Sequence, residues 1–245
     1  MSQPLRLPAL ALALSCLIAT ACHRPTLLID ANADDLRTAR TVALAFYQQL
    51  GTQAGLADVP FITVGVEGGP GYSYDVAHNV LFVTPYSHAD FDTQRIFAKA
   101  CGSQREEPVY DDLMFRFFTA HQLMHLVYDR MSLAEVSQYE EELRINTLTW
   151  LFLEENDLLS PGMQELMKVS ERLEGDLVDR FPSVTKGVES AQTLTVNDNA
   201  SYWYVTAVSL MASHADAERF GSSRGYVASL TDSRLSARVH PAEAH

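Results

Sequence analysis

His121 and His125 stand four residues apart in the run Phe117-Phe118-Thr119-Ala120-His121-Gln122-Leu123-Met124-His125-Leu126-Val127. On a helix that interval puts both imidazoles on one face, one turn apart. Two imidazoles so placed are half of a zinc site, since zinc takes four ligands and accepts neutral nitrogen. The ion would polarise a carbonyl or acidify a water, and attack by water then needs a base beside it. The residue after the first histidine, where a carboxylate would serve as that base, is Gln122. An amide hydrogen-bonds water but cannot take its proton.

The spacing alone is a weak signal. Eight histidines in 245 residues give about 0.2 such pairs by chance, and the plain alternative is one packed and one solvated helix histidine. The surroundings favour more. Phe117, Phe118, Leu123, Met124, Leu126 and Val127 make the segment apolar, and imidazoles buried there need polar partners, of which a metal is one. A third ligand is available in Tyr139-Glu140-Glu141-Glu142-Leu143-Arg144-Ile145-Asn146. Glu142 and Asn146 share a helix face. Glu142 against the histidines would close a His₂Glu site with one position open, and Glu141 is the other candidate. The plain alternative is a solvated acidic helix start, favoured by the helix dipole.

With these residues in view, the chain resembles the gluzincin-type H-E-x-x-H metallopeptidases, and within them a bacterial group whose motif continues as E-E-x-x-x-D. His121 and His125 match the two histidines, Glu141-Glu142 the acidic pair, and Asn146 the aspartate position. The segment from Gly71-Tyr72-Ser73-Tyr74 to Pro85-Tyr86 is similar to the edge-strand hairpin that such enzymes place before the active helix, beside the substrate cleft. The resemblance covers residues 61–153. It implies a zincin-like α+β fold, one zinc ion on His121, His125 and Glu142, and supporting roles behind those three residues for Asn146 and Glu141. A late catalytic histidine of such enzymes has His214 as its candidate here. Two positions depart from the motif. Gln122 replaces the general base, a loss that costs roughly 10²–10⁴-fold in rate. Asn146 replaces an aspartate that would orient a ligand histidine, worth about 10–100-fold in affinity or activity. Both changes remove a negative charge and keep the shape.

Three functional readings follow. The first is a catalytically impaired, metallopeptidase-like envelope lipoprotein that binds a protein, a peptide or a cell-wall component. The second is an active zinc peptidase whose base is displaced to Glu140 or Glu141. The third is a metal-free lipoprotein with structural histidines.

The elements that must position these groups are legible in outline. Leu36, Ala39, Ala43, Phe46 and Leu50 predict an amphipathic helix over 33–49, capped by Asp30 or Asn32 and stopped by Gly51. Phe61–Val66 reads as a strand, Gly68–Gly71 as a loop, and residues 72–83 as a hairpin. Helices are expected over 89–101, 110–128, 133–153 with a break near Gln138, 161–177, 201–214 and about 219–230, with a loop at 101–108 and a loose last dozen residues. Trp150, Trp203 and the run Tyr202-Trp203-Tyr204 read as core. A small sheet followed by helices is an α+β layout.

Residues 1–21 read as a secretory signal: Arg6, an apolar run Leu7–Ile18, then Ala19-Thr20-Ala21 before Cys22. That run is shorter than the ~20 residues a spanning helix needs. The ending resembles a bacterial lipobox, which would lipidate Cys22 and anchor the chain to a membrane; plain cleavage after Ala21 is the alternative. Residues 22–245 then form a single domain in the bacterial cell envelope. Losing the signal takes the formal charge from −13 to −14, which disfavours nucleic acid and anionic lipid. An apolar content of 47% argues against disorder. Cys101 reads as a half-buried thiol at a helix end, with a disulfide to Cys22 as the alternative if Cys22 is not lipidated.

Overall fold

The computed structural model describes residues 36–65, 72–102, 105–131, 137–180 and 199–230. The signal, Cys22, the proposed helix caps Asp30 and Asn32, the glycine loop 68–71 and the last dozen residues lie outside them. Strands β1 (Phe61–Val64), β2 (Tyr72–Asp75) and β3 (Val80–Val83) form a mixed sheet of order β1-β3-β2. β1 runs parallel to β3, with Ile62 opposite Leu81, and β2 runs antiparallel to β3, with Tyr72 opposite Val83. The β2–β3 turn is held by Asp75, whose carboxylate accepts from the backbone N–H groups of Ala77 and His78. Ile62, Leu81 and Val83 point into the core. Among the described residues β2 pairs along one edge only.

The helices are α1 (Arg37–Ala54), α2 (Phe91–Cys101), α3 (Glu106–Asp112), α4 (Thr119–Arg130), α5 (Gln138–Glu155), α6 (Pro161–Arg180), α7 (Asn199–Phe220) and a last helix, α8, over 223–230. α1 packs on α4, α4 on α5, α5 on α7, and α7 on α6, while β2 touches α4. The architecture is therefore α+β and mostly helical. Among the described residues no helix is long and apolar enough to cross a membrane.

Several boundaries differ from the sequence expectation, each for a local reason. Gly51 does not stop α1. Gly55 does, because it alone adopts a left-handed φ of 68° and closes the helix with its own N–H and that of Leu56. A Cβ there would collide with the Arg130 guanidinium at the end of α4, so the ends of α1 and α4 meet over a bare backbone. Helix α3 starts at Glu106, inside the expected loop; Pro108 is tolerated because the first turn needs no N–H partners. The expected helix 110–128 is part of one continuous run from Glu106 to Arg130, interrupted by a π-helical turn over Leu113–Phe118. All of that turn except Arg116 is buried. Five apolar residues in six exceed one face of a regular α-helix, and the wider turn re-phases the chain so that both sides of it pack inward. Arg116 leaves the core through Asp112 Oδ1 at 2.8 Å and the Leu158 carbonyl at 3.0 Å.

Helix α5 begins at Gln138, at the expected break. Ser137 caps it by accepting from the Glu140 N–H at 3.2 Å. That cap sets where the first turn starts and hence the direction in which Glu142 emerges. Cys101 ends α2 and is buried, and burial pushes its thiol up to about 12. It carries no disulfide among the described residues.

Candidate metal centre

The π-helical turn delivers His121 into the core in the first turn of α4. The ring is 2% exposed. It stands edge-on to Tyr72 of β2 at 6.2 Å and to Phe118 at 5.7 Å, and lies against Phe117 at 6.3 Å. His125 follows toward the surface, its ring 4.8 Å from that of His121 and nearly perpendicular to it. Glu142 reaches them from α5.

His121, His125 and Glu142 are the one group of three or more ligand-type side chains that converges among the described residues. His121 Nε2 lies 3.1 Å from His125 Nε2 and 3.3 Å from Glu142 Oε2, and His125 Nε2 lies 3.7 Å from Glu142 Oε1. Ligands at 2.0–2.1 Å around a tetrahedral zinc stand about 3.3 Å apart. The three donors therefore already have nearly the separations the ion requires.

Their protonation agrees. Desolvation, followed by the neighbouring His121, pushes His125 down from 6.5 to about 4 in spite of Glu142. The imidazole is thus neutral at pH 7 with a lone pair to give. Burial by itself would raise the Glu142 carboxyl, but its hydrogen bond with His121 and the electrostatic influence of the two neighbouring imidazoles outweigh it and hold Glu142 below the usual range. The carboxylate is ionised.

A depressed histidine pKa has a stability sign. Above 6.5 neither folded nor unfolded chain binds the proton; between 6.5 and 4 only the unfolded chain does. Stability is present in full above pH 6.5 and falls as the pH drops toward 4, by roughly 3 kcal/mol from this residue. Urea unfolding of zinc-free protein at pH 7 and pH 4.5 should show a steeper loss in the wild type than in His125→Gln. Identical losses would contradict the assignment.

Behind the ligands, Asn146 is buried one turn along α5 from Glu142. Its Nδ2 donates to Ser209 Oγ on α7 at 2.6 Å, and its Oδ1 has no partner among the described residues. His121 Nδ1 is also buried without one. Zinc on Nε2 would fix the proton on Nδ1, which then needs an acceptor. Asn146 Oδ1 is likewise without a donor among the described residues and does not bond His121; what fits the ion is the donor set itself, two imidazole nitrogens and a carboxylate oxygen 3.1–3.7 Å apart. Ser209→Ala would strand the Asn146 amide and should cost about 1–3 kcal/mol, read from the urea midpoint. A change within ~0.5 kcal/mol, the range of an ordinary surface substitution, would show the bond to be idle.

The remaining candidates are placed as follows. Gln122 is half-buried on α4, three residues before His125 and so close to its face. Glu141 is half-buried with a carboxyl raised by burial, then by Glu142 and Asp129. Glu140 is exposed and ion-paired to Arg144. His214 is not in the triad; it packs edge-on to Trp150, whose ring also contacts Phe117. Trp203 is core as expected, donating to Thr93 Oγ1.

Sequence reasoning missed Tyr202. Its hydroxyl donates to that of Tyr72 at 2.7 Å, and Tyr72 stacks on Phe118 at 3.8 Å. Burial raises both phenols and the Glu142 carboxylate raises them further, so both remain protonated donors. The available signal was β-strand alternation, which puts Tyr72 and Tyr74 on one face; nothing in sequence paired Tyr72 with a residue 130 positions away. Comparison of the chain with protein-family models, with curated proteins and with solved structures finds no match.

Proposed function

We propose that this chain is a zincin-like, zinc-binding protein of the bacterial envelope that holds a protein, peptide or cell-wall ligand without cleaving it. The observation that carries the reading is the convergence of His121, His125 and Glu142 at ligand spacing, next to a glutamine in the general-base position. Zinc would supply Lewis acidity there. His121, His125 and Glu142 would hold it, and Gln122 would hydrogen-bond a ligand or water without accepting its proton. The edge of β2 that has no partner strand among the described residues, and whose Tyr72 stands edge-on to His121, supports an extended ligand running alongside the triad by strand addition. Export by residues 1–21 and anchoring through Cys22 belong to the same proposal and rest on the sequence pattern.

The displaced-base reading has thinner support. Glu140 is committed to Arg144. Glu141 has a raised carboxyl, which suits a base, but it borders Glu142, a ligand whose charge it opposes. Metal analysis of the mature protein after mild purification should find at most one zinc per chain, and the same sample should leave a mixed peptide library intact. Robust hydrolysis abolished by a chelator would overturn the proposal and favour the second reading.

A further inference from the structure

We propose that Asp112 and Arg116 are positioning residues of the metal centre: their ion pair, locked onto the connection between α5 and α6, holds the π-helical turn in the phase that points His121 at Glu142. The inference rests on the metal-binding reading and adds to it the residues that keep the two ligand-bearing helices in register.

Three observations meet here. First, the turn that leads into His121 is of an uncommon kind. π-helical turns are rare and concentrate at functional sites, and this one covers Leu113–Phe118, immediately before α4. It takes up more chain than a regular turn, and a reversion by one residue would rotate His121 by about 100° relative to α3. The three donors stand 3.1–3.7 Å apart, so such a rotation breaks the site. Second, the turn is tied down at its one polar residue. Arg116 Nε donates to Asp112 Oδ1 at 2.8 Å, and Arg116 Nη1 donates to the Leu158 carbonyl at 3.0 Å. Asp112 Oδ2 accepts from the Ser160 hydroxyl, whose oxygen accepts from the Met163 N–H at 3.3 Å. A Cβ at Gly162 would collide with Asp112 Oδ2, so the start of α6 lies directly against that carboxylate. Third, Leu158 and Ser160 follow the end of α5, the helix that carries Glu142. One network therefore grips both the lead-in to His121 and the exit of the helix bearing the third ligand.

The plain role of the network is to hold α3 on α6. Its place argues for more. An ion pair at i and i+4 forms on any regular helix, but here the second partner sits inside the wider turn and its other bond reaches a carbonyl 42 positions away. On α4 the two histidines lie between Arg116 and Tyr128, and the Tyr128 hydroxyl accepts from Arg144 of α5 at the longer distance of 3.4 Å. Loss of the Arg116 anchor leaves the weaker one to resist slippage of α4 against α5. A slip of one residue moves a donor about 1.5 Å along the helix axis, most of the roughly 2.0–2.2 Å that a zinc bond spans.

The test uses the full mature protein with cobalt(II) in place of zinc, whose visible absorption reports both uptake and coordination geometry. Asp112→Ala removes both bonds of the carboxylate. Asp112→Asn keeps the shape and still pairs with Arg116 and Ser160, without the charge. Asp112→Ala should bind cobalt about tenfold or more weakly, the size of losing a group that orients a metal ligand, and its saturated form should show an altered visible spectrum. Asp112→Asn should recover most of both. Arg116→Lys lacks the planar fork that reaches two acceptors at once and should fall between. Ile62→Val, in the sheet core, is the control: it should lower the melting temperature and leave cobalt affinity and spectrum unchanged. Wild-type affinity and spectrum in a folded Asp112→Ala, whatever its melting temperature, overturn the inference, assign the pair to packing and leave the metal site standing. Should Asp112→Ala fail to fold, Arg116→Lys decides in the same way. An Asp112→Asn variant as weak as Asp112→Ala also overturns it, since the hydrogen bonds would then not be what holds the turn. Failure of the wild type to take up cobalt removes the metal reading and this inference with it.

Discussion

If the chain holds zinc without cleaving its ligand, as proposed, Gln122→Glu should give it measurable peptidase activity. The wild type positions His121, His125 and Glu142 within 3.1–3.7 Å of one another but has no carboxylate at residue 122. A glutamate there would accept a proton from the attacking water and return it to the leaving amine, a contribution of roughly 10²–10⁴-fold. The substitution is nearly isosteric and the position is half-buried, so the fold tolerates it. The gain should be chelator-sensitive and should vanish in the double variant Gln122→Glu/His125→Ala. A wild type already active, with rates changed less than about threefold by Gln122→Glu, would place the base elsewhere and favour Glu141. No gain at all from a variant that still binds zinc would mean that the site has lost more than its base. Asn146, which stands where the enzymes the sequence resembles carry aspartate, is then the next residue to exchange, as Asn146→Asp, because a carboxylate behind a metal-binding histidine makes it more basic. That order of tests matters, since the two charge-removing differences act on one site and are not additive.

How far the site was readable from sequence depends on what kind of contact makes it. His121 and His125 are one turn apart on a single helix, and local periodicity carries them. Glu142 needed two helices to pack, yet its distance along the chain is short and Ser137 sets the phase of α5, so the choice between Glu141 and Glu142 falls to which face α5 turns to α4. The π-helical turn at Leu113–Phe118 was not legible: the run is apolar on too many sides for a regular helix, but periodicity alone does not say how the chain relieves that. Gly55 in place of Gly51 as the end of α1 was lost for a related reason, because two glycines four apart read alike until φ distinguishes them. The Tyr72–Tyr202 and Asn146–Ser209 bonds join residues 130 and 63 positions apart. Neither has a local signature, since they exist only because α7 returns across the sheet and α5. The expected α+β class held because it depends on element types, which composition and period encode, and not on such long-range pairings.

Zinc should stabilise the wild type and leave the ligand variants unmoved. Free zinc at 100 times its dissociation constant adds ~2.7 kcal/mol to a protein that binds it only when folded. At about 2–4 °C per kcal/mol for a domain of this size, the melting temperature should rise roughly 5–11 °C. His121→Ala should lose that response, but it also removes a buried ring packed among Tyr72, Phe117 and Phe118, so its zinc-free melting temperature should fall as well. Glu142→Gln separates the two effects. It keeps the shape and exchanges the charged ligand for an amide, so the zinc-free protein should melt near the wild type while most of the zinc response disappears. Equal zinc shifts in wild type and both variants would send the ion to surface carboxylates, of which an acidic chain has many, and would return the histidines to structural duty. What argues against that outcome is where the His121 ring points: at 2% exposure its Nε2 faces His125 Nε2 at 3.1 Å and Glu142 Oε2 at 3.3 Å, separations close to those of donors around one zinc.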